Sequence, residues 1–323
     1  MKKLTVLFFL CIIPFIANAT ISEMSFGKWN IKFDDETKRA EFVKEGVTVL
    51  KDVKIKFKNG DVLLDASSYN SVKIKQEDIV DEVGKARKFT IEYTGSEDSD
   101  NPIVYQNFYL YDGQDYFLTD VILQSPDNSI ISSNYIAPIS TEADNLFLPA
   151  DVNNRFITVP FDNDGFITYT SYPLSCSQTD PESLAIGRVA RDSVSMEVSA
   201  IFNGETQLGL VIGSVDHDTW KSAVRITGSP LAQGKITNLE CFSGVTHHIT
   251  RDMIDGVLKP HGAVKGQQVK SARMIVHYSG DWRTGLETFG DVCCAIAPKR
   301  SWDKPAPYGW SSWGGMGTEI SYD

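Results

Sequence analysis

Two indole side chains three residues apart, Trp310 and Trp313, stand among Gly309, Ser311, Ser312, Gly314 and Gly315. Small residues let a ligand approach the backbone closely, and an indole offers a flat apolar face with an N–H at its rim. That combination suits stacking on a sugar ring. The other reading is a core strand whose tryptophans pack between layers. Asp216-His217-Asp218 sets an imidazole between two carboxylates. In an extended segment both carboxylates face one way and His217 the other. The triplet is therefore either an acid/base or substrate-binding cluster at a strand end, or a polar turn before Trp220. Adjacent His247 and His248 would point to opposite faces of a strand and share no metal, and His261 and His277 have no partner at ligand spacing. Asp162-Asn163-Asp164-Gly165 lacks the fifth-position oxygen and the distal Glu of a calcium loop and reads as a hairpin turn. The chain has no Gly-x-Ser-x-Gly elbow, phosphate-binding glycine loop or dinucleotide fingerprint. No cofactor is expected.

The elements that must carry these residues are almost all strands. Trp29, Ile31 and Phe33 alternate with Asn30 and Lys32, and Val53, Ile55 and Phe57 alternate with lysines. Period-two alternation marks half-buried antiparallel strands with one wet face. Further strands are predicted at 47–50, 72–75, 88–93, 103–111, 116–123, 130–136, 156–161, 166–170, 194–202, 208–215, 221–226, 236–242 and 272–278. Asn59-Gly60, Asp112-Gly113, Asp164-Gly165 and Asn203-Gly204 supply turns between them. So many strands without intervening helices predict an all-β fold, one large antiparallel β-sandwich over about 21–278. Beyond Ser279 the pattern changes. Leu286, Phe289 and Cys293 recur at helical spacing within 284–294, and Asp281 is placed to cap that helix. Pro298, Pro305 and Pro307 then make an extended linker and a domain boundary.

Lys2 and Lys3 precede an apolar run from Leu4 to Ile16, and Ala17-Asn18-Ala19 fits a small-x-small cleavage site. The run is too short to span a bilayer and reads as a secretory signal peptide over 1–19. Cys11 lies in that run, but Phe8, Phe9 and Leu10 before it lack the small residues of a lipidation site. The expected location is secreted or periplasmic. The chain carries 31 basic and 42 acidic residues, net −11, and loss of the two leader lysines makes this −13. An acidic exported chain has no clustered cations for nucleic acid or for an anionic membrane surface. Cys176, Cys241, Cys293 and Cys294 remain after export; free or buried thiols are favoured, with a Cys176–Cys241 bridge as the minor option.

Residues Gly309-Trp310-Ser311-Ser312-Trp313, after Pro307, resemble the Gly-Trp-Asn-Ser-Trp run on the first barrel strand of α-galactosidase-like glycoside hydrolases of families 36 and 27, the melibiases. Ser311 takes the place of the usual Asn. Residues 209–221, from Gly209 through Asp216-His217-Asp218 to Lys221, resemble a strand and turn of the β-sandwich that precedes the barrel in bacterial members. After the leader at 1–19, the resemblance implies a supersandwich domain with its linker helix at 20–296, and at 297–323 a linker and the start of a (β/α)8 barrel. Trp310 and Trp313 fall on motif positions and are implied contributors to the sugar pocket, with a glycan or oligosaccharide as partner. Retaining hydrolysis needs two carboxylates about 5–5.5 Å apart. In this family both are aspartates on later barrel strands, and a barrel takes about 250 residues. Both are therefore expected beyond residue 323, and no catalytic residue is assigned. The alternative is a non-catalytic carbohydrate-binding or surface β-sandwich protein.

Overall fold

A computed structural model describes residues 21–142, 148, 151–159, 171–174, 194–228, 236–248, 257–260, 262–305, 309 and 319. Two large antiparallel sheets face each other. Sheet one runs β1 (Ile21–Phe26), β2 (Trp29–Asp34), β3 (Arg39–Lys44), β4 (Val47–Asn59), β11 (Ile136–Glu142), β18 (Ile236–Ser243), β17 (Ser222–Gly228) and β14 (Val194–Met196), with β5 (Val62–Asp65) also paired to β4. Sheet two runs β13 (Ser171–Pro173), β12 (Asn154–Ile157), β15 (Val198–Asn203), β16 (Gly209–Ser214), β23 (Met274–Ser279), β9 (Tyr116–Gln124), β8 (Ile103–Tyr111), β7 (Lys85–Ser96) and β6 (Tyr69–Val80), with β22 (Gln268–Lys270) also on β9. Two short ladders, β10 (Ile131–Ser133) with β21 (Val264–Gly266) and β19 (Val245–His248) with β20 (Val257–Pro260), flank them. The predicted all-β sandwich is the observed fold.

Alternation fills the space between the sheets. Trp29, Ile31 and Phe33 of β2 and Val53, Ile55 and Phe57 of β4 meet Phe89, Ile91 and Tyr93 of β7 and Phe108 and Phe117 of β8 and β9. Trp29 and Phe42 both stand edge-on to Phe117, with centroids 4.8 and 5.0 Å away. Each such side chain, taken fully out of water, contributes roughly 1.5–3 kcal/mol.

Of the predicted strands, two divide and two others merge into one. The run 194–202 is two strands in different sheets, because Glu197 takes a φ of +65° and turns the chain between them. Gly213 faces that crossover, where any Cβ would strike the Glu197 carbonyl and Val198. The run 130–136 likewise splits into β10 and β11. Conversely, 47–50 and the Val53–Phe57 alternation are one strand, β4, carried past Asp52 at φ +50° with a register shift against β3. The strand at 166–170 and the turn at 162–165 lie outside the described residues.

The single described helix, α1 (Trp282–Ile296), starts two residues before the predicted segment. Asp281 caps it as expected, its Oδ1 accepting from the Arg283 amide at 3.0 Å. Residues 297–305 follow without regular structure and are exposed. No described helix is long and apolar enough to cross a membrane. Cys241 is a free, buried thiol and Cys293 and Cys294 are also free, as favoured from the sequence; Cys176 lies outside the described residues. Burial pushes the Cys293 thiol up to about 11.

Candidate functional site

The outer face of sheet two is where polar and aromatic groups gather. Even-numbered residues of β8, such as Val104, Phe108 and Leu110, enter the core. The odd-numbered set must then face outward, which brings Tyr105, Asn107, Tyr109 and Tyr111 to that side. On β9 the registers Asn107↔Asp120 and Tyr109↔Leu118 bring Asp120 to the same side.

Helix α1 covers one half of this face. Trp282 stacks on Phe202 with centroids 4.2 Å apart and planes 18° from parallel, and its Nε1 donates to Gln207 Oε1 at 3.1 Å. Leu286 and Phe289 lie on Ala200, Phe202 and Val211. The next turns bring Val292, Cys293 and Ile296 against Tyr111, Tyr116, Leu118 and Ile275. Beneath the helix His277 is 2 % exposed, and its Nδ1 has no hydrogen-bond partner among the described residues. Burial drives its pKa down to about 4, so it is neutral at neutral pH.

The helix ends beside three neighbouring polar groups that make up one cluster. Asp120 is fully buried; its Oδ1 accepts from Asn107 Nδ2 at 2.7 Å and its Oδ2 from Tyr109 OH at 3.0 Å. Lys270 Nζ reaches the same Oδ2 at 3.2 Å from a side chain 42 % exposed. Asn107 is itself fixed by Thr90, whose hydroxyl donates to Asn107 Oδ1 at 2.7 Å. Arg273 donates from its backbone amide to Asp216 Oδ1 at 3.1 Å and from Nε to Asp216 Oδ2 at 3.2 Å, and its Nη1 reaches Glu82 Oε2 at 3.3 Å. Tyr111 OH donates to Asp81 Oδ2 at 2.7 Å. Burial, then the neighbouring carboxylates, push both Tyr109 and Tyr111 well above the usual phenol range, so they remain donors. Burial also lifts the Asp216 carboxyl, against the pull of Arg273 and Lys270. Burial works against the charge of Arg273, yet Asp216 and Glu82 hold it above its ordinary value.

Of the residues singled out from the sequence, Asp216 belongs to this cluster, while His217 and Asp218 are exposed. Asn107, Tyr109, Asp120, Lys270 and Arg273 carry no local signal beyond the outward tyrosines of β8. The sheet register alone brings them together. His247 and His248 do lie on a strand, β19. No group of three His, Cys, Asp or Glu among the described residues converges to hold a metal. Trp310 and Trp313 lie outside the described residues. Chemically, the cluster is a set of carboxylates tied to cations, phenols and an amide. That arrangement presents hydrogen-bonding groups in fixed positions; neither Asp120 nor Asp216 stands as an isolated acid.

No protein-family model matches the chain, and no curated protein matches it. Solved structures do. An α-N-acetylgalactosaminidase of Bifidobacterium bifidum in its Gal-NHAc-DNJ complex aligns with a TM-score of 0.54 at 10 % identity, over 85 % of this chain and 39 % of that one. Its GalNAc complex gives 0.52 at 11 % identity, over 86 % and 39 %. An α-galactosidase of Lactobacillus brevis aligns at 0.47 and 9 % identity, over 85 % and 42 %, too loosely to bear on the fold. The chain thus has a glycoside-hydrolase-like β-sandwich fold and spans about two fifths of the length of the solved structures it matches.

Proposed function

We propose that this chain is the β-sandwich part of an exported glycoside hydrolase acting on α-galactosides or related glycans, and that the sandwich binds glycan without hydrolysing it. The observation that carries this reading is a two-sheet sandwich with α1 laid on its outer face, superposing on an α-N-acetylgalactosaminidase over 85 % of this chain. Residues 1–19 would direct export, and 297–323 would lead into a barrel in which Trp310 and Trp313 line a sugar pocket. Retaining hydrolysis requires one carboxylate as nucleophile and another as a protonated acid about 5–5.5 Å away. Asp120 and Asp216 are each bound to a cation instead, which suits a binding surface better than an acid/base pair. The second reading, a non-catalytic carbohydrate-binding or surface protein, is favoured by these same carboxylate–cation pairs.

A glycan array with the purified chain tests the proposal: α-galactose- or α-GalNAc-terminated glycans should be retained, and an aryl α-galactoside should not be turned over. Turnover abolished by one Asp or Glu substitution would overturn the non-hydrolytic assignment, and an array without any retained glycan would overturn the binding assignment. Aryl α-galactosidase activity in native exported fractions, co-purifying with peptides of this chain, separates the hydrolase reading from the purely binding one.

A further inference from the structure

We propose that a cleft at the β4–β5 end of the sandwich is a binding site for a neutral mono- or disaccharide, an assignment that rests on the glycan-binding reading above. The cleft measures about 590 Å³, within the range of small-ligand sites, roughly 300–1,000 Å³. It lies where the β4–β5 hairpin, the start of β6 and the turn after β7 meet, so both sheets contribute walls.

Its chemistry is selective. Val62 and Leu64, alternate residues of β5, give one apolar wall for the C–H face of a sugar ring. Asn59, Asn70 and Asn101 offer amides, each both donor and acceptor, which matches the dual character of a sugar hydroxyl. Glu97, Asp98 and Asp100 line the cleft with no Lys or Arg among its walls, so phosphate, sulfate or uronate ligands would be repelled. A divalent ion is disfavoured too, since no three carboxylates there converge. The side chains of Asn70 and Glu97 make no hydrogen bond within the described protein, which leaves them for a ligand.

The frame around these groups is set before any ligand arrives. Tyr69 OH donates to the Pro102 carbonyl at 2.6 Å, tying the start of β6 to the turn after β7. Asp65 Oδ1 accepts from the Ser67 amide at 2.9 Å and fixes the 3-10 turn Ala66–Ser68. Asn59 Nδ2 donates to Asp100 O at 3.1 Å, and Asn101 Nδ2 to Ser96 Oγ at 2.8 Å. A site held this way loses little ordering entropy on binding.

The test titrates N-acetylgalactosamine and methyl α-D-galactopyranoside into the full chain labelled with 15N, with Asn70→Ala and Glu97→Ala as variants. Both positions are exposed, so the fold should survive, and circular dichroism verifies it. The side-chain amide resonances of Asn59, Asn70 and Asn101 should shift, and each variant should weaken binding about tenfold, or about 1.4 kcal/mol. Sugar-induced shifts elsewhere, with both variants binding like the parent, would overturn the cleft and leave the glycan-binding reading standing. Calcium chloride moving these resonances where neither sugar does would overturn it in favour of a cation site. Failure of both sugars and of every arrayed glycan to bind would sink the parent reading, and the cleft with it.

Discussion

Replacing Gly285 by alanine tests how α1 sits on the sandwich. A Cβ there would lie 2.7 Å from His277 Nδ1 and 2.7 Å from Val211 Cγ2, where ordinary contacts need about 3.5–4.0 Å. His277 is buried in β23 and Val211 in β16, so neither can swing aside and the helix must lift. Overpacking of this kind costs about 1–3 kcal/mol. Alanine gains back about 1 kcal/mol in helix propensity, leaving a net loss of up to about 2 kcal/mol. Gly290 in the same helix faces open space, and a methyl group added there would meet no atom within 4 Å. Gly290→Ala should therefore show only the propensity gain, about 1 kcal/mol. Urea unfolding reads the two variants, and hydrogen exchange of the helix amides shows whether loss is confined to α1. If Gly285→Ala stabilises as much as Gly290→Ala, the helix does not rest on His277 and Val211, and the account of the covered face fails.

Three further outcomes are expected. His277 has a folded pKa of about 4 against an ordinary 6.5. The unfolded chain binds the extra proton first, so stability is full above pH 6.5 and falls toward pH 4, by an amount on the order of 3 kcal/mol; urea midpoints at pH 7 and pH 5 should converge in His277→Gln, and an unchanged pH slope would contradict the burial argument. Asp120→Ala leaves Asn107 Nδ2 and Tyr109 OH without their acceptor and should cost about 2–3 kcal/mol; a neutral result in chemical denaturation would mean the network is not formed. Trypsin should cut after Lys299 or Arg300 in the exposed 297–305 segment while the sandwich stays intact. Equal resistance of this segment and the sandwich would place the segment in a docked position.

Most of the fold is legible because alternation is a local signal. β8 (Ile103–Tyr111) and β2 (Trp29–Asp34) announce themselves through which side chains enter the core. Strand breaks are not legible where both flanks are apolar. Val194–Met196 and Val198–Asn203 look like one strand, and only the left-handed backbone at Glu197 parts them. β1 and β3 escape the pattern, since Ser22, Glu23 and Ser25 dilute the first and charged residues interrupt the second. The polar cluster is mostly hidden. Asp216 stands out beside His217, but its partner Arg273 comes 57 residues later, and Asp120 meets Lys270 only because β22 pairs with β9. Such meetings depend on register across the sheet, which no short window of sequence contains.

The strand order also carries a timetable. β1 to β4 pair with their immediate successors, and so do β6 to β9. The two meanders already meet through Trp29–Phe117, Phe33–Tyr93 and Phe42–Phe108, so residues 21–124 can close a two-layer nucleus from local hairpins alone. The rest must add to its open edges from far along the chain: β11 and then β18 beside β4, and β23 then β16 beside β9. Pairings of long sequence separation close slowly, and the N-terminal part of a chain leaves the ribosome first. Pulse-labelled exchange during refolding should accordingly protect the β7–β9 amides before those of β16–β18. Until β11 and β23 arrive, the outer edges of β4 and β9 remain open, and the early nucleus is the species most prone to pair with a second molecule.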